Sequence, residues 1–402
     1  MQIDAGSASA AGDVDVDTLK RVSGANLLSG LSRLTPTEIT SFVARYPAHI
    51  DAVLAAPPAA EQVTGWWASL PPATRTSLTA SAPRLVGNLE GITLRDRGRA
   101  NLGFLADSMA EVKTEITSTK PGGARDILAR KLAVLTQIND AVISRGTGGP
   151  VRSLVLLDTS GGGRAAIALG NPDTADYVSY LVPGMNYNVH DQIVNWSATA
   201  EALYLEQRRV LKSLRANNPV AGRGSVATIA WIGYEPPDVF SVGGLDRAEA
   251  GADFLEASWH GLRESRKADR PFLSVFAHSY GSTVTLTALA RDSVTLDALV
   301  MVGSPGSSVQ SASELPVANG TVYVGEADWD PAVNSAFFGS DPGGAAYGAR
   351  PLGVTGSTDR LTGAPLQGSL GHNEYFKAGS ESLHNMALIG TGNARLVTNG
   401  SE

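Results

Sequence analysis

The chain has 402 residues, and its 32 basic and 39 acidic side chains are interleaved to a net charge of −7, with no basic patch to suggest a nucleic-acid partner. The absence of cysteine excludes disulfides, a thiol nucleophile and cysteine-ligated metals. No apolar run reaches the roughly 18 residues of a membrane-spanning helix, and the length suffices for one large α/β domain plus a further module.

The first residues, "MQIDAGSASAAGDVDVDTL", are acidic and small. They lack the basic and apolar segments of a secretory signal peptide, so we expect a flexible tail over residues 1–16. The overall composition is typical of a soluble protein. The sequence does not decide whether the protein stays in the cytoplasm or is exported by a route that needs no such signal.

Residues 17–150 are predicted to form a helical N-terminal module. In "LTPTEITSFVARY", Thr35 is a predicted N-cap followed by proline, and Glu38 stands three residues after the cap. Apolar residues recur at three- and four-residue steps over 95–116 and again over 124–143. This spacing is typical of amphipathic helices.

From residue 151 to residue 402, short β-branched runs alternate with long helical patterns, which predicts a mostly parallel sheet flanked by helices. The runs 153–158 and 164–170 enclose the turn "TSGGG" and are expected to form a hairpin. Further strands are predicted at 176–184, 225–233, 272–279, 298–306 and 322–330, with "GVTG" at 353–356 as a candidate last strand. Helices are expected at 188–217, 246–266, 281–291 and 380–390.

The segment "FLSVFAHSYGSTVTLTALA" changes from an apolar strand into a small-residue helix at Ser279. A serine nucleophile on a sharp strand-to-helix turn needs small residues two positions before and after it, because the turn forces tight backbone contacts. Gly281 meets this need, and Ala277 adds one methyl group where glycine is usual. We therefore predict Ser279 as a nucleophile, and the alternative is a serine that only occupies a turn.

A serine hydroxyl needs an adjacent base, and in this arrangement the chain order is serine, acid, histidine. Of the six histidines, His372 and His384 follow the serine. His384 lies in the predicted amphipathic closing helix, where a packing or surface role is expected, whereas His372 lies in the loop "LGHNEYF". We predict His372 as the base. His278, next to the serine, is expected to point away from its hydroxyl.

The acid is expected at the carboxyl end of a strand between the serine and the histidine. The segment "VYVGEADWDPAV" supplies Glu326, Asp328 and Asp330. Asp330 precedes a proline, which favours an extended conformation at a strand end. We predict Asp330 as the residue that orients the imidazole and stabilises its protonated form, with Asp328 as the next candidate.

Two backbone N–H groups must face the negative charge that develops on the substrate oxygen. Tyr280, directly after the serine, is predicted to supply one. The loop "LVPGMNYN" is expected to supply the other from Met185, with Gly184 allowing the backbone to approach. Tyr234 and Glu235 in "WIGYEPPDVF" are candidate substrate-binding residues, and an ordinary strand-to-helix loop is the alternative.

These segments resemble a family of alpha/beta hydrolases common in actinobacteria and long described as a domain of unknown function. The similar segments run from about residue 64 to the C-terminus and include "GGGRAAIALGNPDTADYVSYLVPGMN", "ATIAWIGYEPP", "AHSYGSTV", "ADWDPA" and "GHNEYF". The resemblance implies an α/β-hydrolase fold, with Ser279 as nucleophile in the "HSYGS" segment, Asp330 before its proline, and His372. It does not fix a substrate, since one fold serves many functions.

A serine, an aspartate and a histidine in this order predict a serine hydrolase that cleaves carboxylic esters through an acyl-enzyme. No metal or organic cofactor is implied, and the expected partner is a small-molecule or lipid-like ester substrate. The same chemistry would serve an amidase, a peptidase or an acyltransferase, so these alternatives stay open. A non-catalytic binding protein that kept the fold is the remaining alternative. It is disfavoured because the chain carries a serine, an aspartate and a histidine in the order that catalysis needs.

Overall fold

The computed structural model describes residues 16–143, 149–218, 221–238 and 240–399 of the chain. The tail predicted over residues 1–16 lies outside the described residues, apart from residue 16, which begins the first helix. No helix in the described part of the chain is both long and apolar enough to cross a bilayer.

The N-terminal helices form a small core of their own. Their bounds are α1 Val16–Leu19, α2 Gly24–Leu31, α3 Pro36–Arg45, α4 Pro47–Ala55, α5 Ala60–Ser69, α6 Pro72–Ser81 and α7 Pro83–Asn88. The predicted capping box begins α3, because the Thr35 hydroxyl oxygen accepts from the Glu38 amide and the Glu38 carboxylate accepts from the Thr35 amide at 2.8 Å. Phe42, Trp67 and Leu85 are buried in this core.

Two longer helices, α8 Leu94–Ser118 and α9 Gly123–Val142, pack on the sheet instead. Their apolar stripes place Leu105, Leu135 and Ile138 in the core beneath one face of the sheet. The predicted helical module therefore contains one group of helices with a separate core and a second group that belongs to the sheet's core. The division of the chain at residue 150 stays a prediction.

The described residues form an eight-stranded sheet in the order β1-β2-β4-β3-β5-β6-β7-β8. The strands are β1 Arg152–Asp158, β2 Arg164–Leu169, β3 Tyr177–Val182, β4 Val226–Ile232, β5 Phe272–His278, β6 Ala298–Val302, β7 Val322–Gly325 and β8 Arg350–Pro351. β1 and β2 form the predicted hairpin, β2 is antiparallel to both neighbours, and the pairs from β4 to β8 are parallel. The predicted mostly parallel sheet flanked by helices is confirmed.

Helices cover both faces of the sheet. One face is covered by α9 and by two further helices, α10 Val189–Asn217 and α13 Glu381–Gly390. The other face is covered by α11 Asp246–Ser265 and α12 Tyr280–Leu289. All ten residues of α13 are buried, since the helix lies between α10 and the sheet. The prediction that this closing helix is amphipathic is therefore wrong.

The candidate last strand "GVTG" is also wrong. Gly353 donates its N–H to the Thr398 carbonyl at 3.0 Å, and Gly356 donates to the Glu381 carboxylate at 2.8 Å. Because these amides bind the C-terminal segment, they do not pair with a strand. The sheet ends earlier, at β8, and a separate two-stranded ribbon follows, formed by β9 Ser357–Thr358 and β10 Pro365–Leu366.

Candidate active site

Ser279 occupies the turn between β5 and α12 in a strained backbone conformation. Its φ is 54° and its ψ is −132°, a combination that costs a non-glycine residue on the order of 1–3 kcal/mol. The surrounding backbone holds it there: the Ser279 amide donates to the Val302 carbonyl at 3.0 Å, and the Ser279 carbonyl accepts from the Ser282 amide at 2.9 Å. Ser279 is thus on a sharp strand-to-helix turn, and only 6% of the residue is exposed.

The small residues on either side of the turn have different roles. A Cβ on Gly281 would lie 2.5 Å from the carbonyl oxygens of both Val182 and Pro183, so only glycine fits. Ala277 pairs with Val182 on one side and Met301 on the other, and its methyl group is buried in the core between the sheet and α11 and α12. The methyl therefore packs in the core and does not press on the turn.

The loop after β3 lies directly against the serine. A Cβ on Gly184 would lie 2.5 Å from the Ser279 Cβ and 2.9 Å from its Oγ. Met185 is the next residue in this loop, and Tyr280 begins the helix on the other side. The two residues predicted to donate backbone N–H groups therefore follow Gly184 and Ser279 directly, and the oxyanion role of their amides stays a prediction.

Asp330 and His372 meet beyond the carboxyl end of β6, at the same end of the parallel strands as Ser279. The His372 Nδ1 lies 2.7 Å from the Asp330 Oδ1, and the Asp330 side chain is fully buried, whereas that of His372 is 19% exposed. The pair needs a glycine behind it, because a Cβ on Gly303 would lie 2.7 Å from the Asp330 Oδ2 and 3.0 Å from the imidazole. Gly303 follows β6, the strand next to β5.

The buried Asp330 carboxylate has three hydrogen-bond donors. Besides His372, the Tyr375 hydroxyl donates to Oδ2 at 2.6 Å and the Ala332 amide donates to Oδ1 at 2.9 Å. Burial by itself would raise the pKa of Asp330, but these hydrogen bonds outweigh it and hold the pKa below its usual value. The carboxylate is therefore ionised and fixed in orientation.

Tyr375 was missed by the sequence reasoning. Its ring is buried, and its hydroxyl accepts from the Ala327 amide at 2.9 Å while donating to Asp330. Burial, followed by the bond to Asp330, raises the pKa of Tyr375, so the hydroxyl keeps its proton. The available signal was its position three residues after His372 in "GHNEYF".

His278 was also missed as a site residue. Its Nε2 lies 2.7 Å from the His372 carbonyl oxygen, and the two rings are 4.6 Å apart between centroids. Burial, followed by the charge of His372, lowers the pKa of His278 to about 4. His278 is therefore neutral near pH 7 and donates its Nε2 hydrogen to the backbone of the candidate base.

The other predicted residues differ in burial and in partners. Asp328 is exposed, and Glu326 is half-buried, where burial and then the charges of Asp341 and Asp330 raise its pKa. Tyr234 is buried and donates its hydroxyl hydrogen to the Pro183 carbonyl at 2.7 Å, directly before Gly184.

Glu235 binds the β1–β2 hairpin instead of facing the serine. Its carboxylate accepts from the Gly162 amide at 2.9 Å and pairs with Arg247 at 2.6 Å. Tyr234 and Glu235 thus hold loops in place in this structure, and their predicted contact with a substrate stays a prediction. In the described part of the chain, no three histidine or carboxylate side chains converge as metal ligands.

Residues 158–340 match a family model described as alpha/beta hydrolase. Uncharacterized protein Rv0963c of Mycobacterium tuberculosis is 31% identical over 232 residues, which cover 57% of this chain and 82% of that protein. Uncharacterized protein Rv2079 of the same organism is 28% identical over 388 residues, covering 83% of this chain. The chain spans only 56% of the length of that relative.

Among solved structures, the chain is similar to an arylesterase, which is 14% identical with a TM-score of 0.33 over 72% of this chain and 98% of its own. Carboxyl esterase 2 from the mycorrhizal fungus Tuber melanosporum is 13% identical with a TM-score of 0.32, over 63% of this chain and 89% of its own.

Proposed function

Because the chain belongs to the alpha/beta hydrolase family, we propose that it is a serine esterase that cleaves carboxylic esters through an acyl-enzyme intermediate. The observation that carries the proposal is the strained Ser279 turn, whose neighbour His278 contacts the His372 carbonyl, together with the buried hydrogen bond between His372 and Asp330. A serine, a histidine and an aspartate are the residue types of a nucleophile, a base and an orienting acid, and the hydrogen bond between His372 and Asp330 supports the last two roles.

In the proposed first half-reaction, His372 accepts the proton of Ser279 through Nε2 while the serine Oγ attacks the ester carbonyl carbon. The carbonyl oxygen becomes an oxyanion, which the Met185 and Tyr280 amides stabilise. When the tetrahedral intermediate collapses, the alcohol leaves with the proton from His372. In the second half-reaction, His372 accepts a proton from a water molecule that attacks the acyl carbon. The ester bond to Ser279 then breaks, the acid leaves, and His372 returns the proton to the serine oxygen.

Asp330 keeps the His372 Nδ1 protonated, so that Nε2 is free to accept the serine proton. The Tyr375 hydroxyl and the Ala332 amide hold the carboxylate in place during this step. His278 supports the same imidazole from its other side through the His372 carbonyl oxygen. Tyr375 and His278 are positioning residues, since neither is proposed to touch the substrate.

Exposed apolar side chains next to the proposed triad support an ester with an apolar group. Trp329 is 91% exposed and directly precedes Asp330, and Leu370 is 61% exposed two residues before His372. Phe337 is 61% exposed and contacts Phe338, whose ring meets that of Tyr280 at 5.5 Å. A hydrocarbon chain bound at the serine would find apolar surface on these side chains.

The proposal is tested by hydrolysis of p-nitrophenyl esters alongside matched anilides. We expect the wild type to cleave the esters, and Ser279→Ala to lower kcat/KM by more than about a thousandfold. The matched control is Ser308→Ala, an exposed serine whose replacement leaves the rate unchanged. Faster cleavage of anilides than of esters would favour an amidase, and equal activity of the two variants would overturn the proposal.

A further inference from the structure

A cavity lies away from the Ser279 turn, between the N-terminal helices and the sheet. Its volume is about 640 Å³, within the range of sites for small organic ligands. Residues of α4, α7 and α8 form one side, and β1–β4 with α11 form the other. Ser279, Asp330 and His372 are not among the described residues that line it.

The charged side chains that line this cavity are all paired within the protein. The pairs are Arg84–Asp51 at 2.6 Å, Arg164–Asp158 at 2.7 Å, Asp253–Arg291 at 2.6 Å, and the close pair Arg97–Glu90. An ionic ligand would have to compete for a charge that is already neutralised, and it would lose its own hydration on entry. The cavity therefore offers neither an anion nor a cation an unpaired partner among its charged lining residues.

The walls between these ion pairs are mainly apolar. The large apolar side chains of the lining include Leu54, Leu94, Val155, Leu157, Ile229, Trp231 and Phe254. Phe254 is held in place by the Arg164 guanidinium, which lies 3.5 Å from the centre of its ring. Aromatic and aliphatic walls favour a ligand with a hydrocarbon body, since burial of its apolar surface supplies the binding free energy.

One neutral polar pair also lines the cavity. The Tyr180 hydroxyl and the Ser258 hydroxyl lie 3.1 Å apart on β3 and α11. Burial raises the pKa of Tyr180, so its hydroxyl stays protonated and neutral. Two hydroxyls can donate to a ligand carbonyl or hydroxyl as well as to each other.

We propose that this cavity binds a neutral, mainly apolar small molecule that carries one carbonyl or hydroxyl group, independently of the proposed catalytic site. The pairing of every lining charge leaves an ionic ligand no unpaired counter-charge, the walls supply apolar contact, and the Tyr180–Ser258 pair recognises the single polar group. A ligand that fills the cavity also stabilises the folded state, because it binds the native protein and not the unfolded chain.

The test uses Nile red, a neutral fluorophore with one carbonyl, and the anionic dye 8-anilinonaphthalene-1-sulfonate. Ala257 lines the cavity on α11, and Ala257→Phe places a ring inside it. Ala250 is exposed earlier on the same helix, which makes Ala250→Phe the matched control. We expect Ala257→Phe to weaken Nile red binding at least about tenfold. The Ala250→Phe control is expected to bind as the wild type does.

A second variant that fills the cavity keeps the proposal testable if Ala257→Phe does not fold. Leu54 lines the opposite side of the cavity, on α4, and Leu54→Trp places a larger side chain there. We expect this variant to weaken Nile red binding as well. Each variant is checked by its circular dichroism and Tm. Wild-type binding by both blocking variants would overturn the proposal, as would tighter binding of the anionic dye than of Nile red.

Binding is then measured on protein whose Ser279 carries a phosphonate, or on Ser279→Ala if no adduct forms. Unchanged Nile red affinity supports a site separate from the serine, and lost affinity contradicts it. Because this readout needs no turnover, the cavity proposal can fail or succeed whatever the result of the esterase assay.

Discussion

The imidazole rings of His278 and His372 lie 4.6 Å apart, and the Nε2 of His278 is 2.7 Å from the His372 carbonyl oxygen. A residue next to the candidate nucleophile thus fixes the backbone of the candidate base. The contact joins the end of β5 to a loop almost a hundred residues later in the chain. It also brings a second titratable ring into a buried position beside the site.

This contact predicts a specific dependence of stability on pH. Burial lowers the pKa of His278 from 6.5 to about 4, so the folded state binds the proton more weakly than the unfolded state. The contribution of neutral His278 to the free energy of unfolding is fully present above pH 6.5. It is lost as the pH falls towards 4, at roughly 1.4 kcal/mol per pH unit. His278→Gln, which keeps an N–H for the His372 carbonyl, should remove this slope.

The measurement is urea unfolding of the wild type and His278→Gln between pH 7 and pH 4. We expect the difference in unfolding free energy between the two proteins to shrink as the pH falls. Parallel pH profiles for the two proteins would contradict a buried neutral His278.

The sequence predicts much of this arrangement because the relevant signals are local. The change from the apolar strand to the small-residue helix places Ser279 on a turn. The strand predicted over 322–330 ends at Gly325 instead, so the expectation that Asp330 stands at the strand end is wrong, and Asp330 lies in the loop that follows. Apolar periodicity likewise predicted the order of strands and helices. The positions of these elements were therefore readable without any knowledge of long-range contacts.

The parts that were wrong or missed depend on contacts between distant segments. His278 was expected to point away from the serine hydroxyl, and its role was missed because its partner is a backbone oxygen of residue 372. The closing helix has polar residues, yet His384 is buried between Glu206 and Asp359. A periodicity pattern cannot reveal that a polar side chain has a buried partner on another element.

Tyr375→Phe should weaken both stability and catalysis. The substitution removes the hydroxyl that donates to Asp330 and accepts from the Ala327 amide, leaving that amide unpaired in the interior. We expect a loss of about 1–3 kcal/mol in the unfolding free energy and a lower kcat at unchanged KM. The control is Tyr204→Phe, on α10 beside Gly170 at the opposite edge of the sheet. Equal kcat values for the two variants would argue against a positioning role for Tyr375.

Tyr234→Phe should act through the loop after β3. Its hydroxyl donates to the Pro183 carbonyl, next to Gly184, which touches the Ser279 side chain. Loss of this bond lets the proposed oxyanion donor at Met185 move, so we expect kcat to fall about tenfold with little change in KM. If KM rises while kcat is unchanged, Tyr234 contacts the substrate instead of holding the loop.

Ala277→Gly and Gly281→Ala should have opposite consequences although each changes one methyl group. The Ala277 methyl lies in the core, so its removal is expected to cost about 0.5–1 kcal/mol of stability and to leave activity within about twofold. The new methyl at 281 would lie 2.5 Å from two carbonyl oxygens and should abolish activity. Ester hydrolysis and Tm of both variants check this, and an active Gly281→Ala protein would contradict the tight turn.

The central claim is that Ser279 is the nucleophile, and covalent labelling tests it most directly. The protein is treated with a fluorophosphonate, and the modified peptide is identified by mass spectrometry after proteolysis. We predict a single phosphonyl adduct on Ser279 in the wild type and in Ser308→Ala, and no adduct in Ser279→Ala. An adduct on another residue, or labelling that persists in Ser279→Ala, would contradict the assignment of the nucleophile.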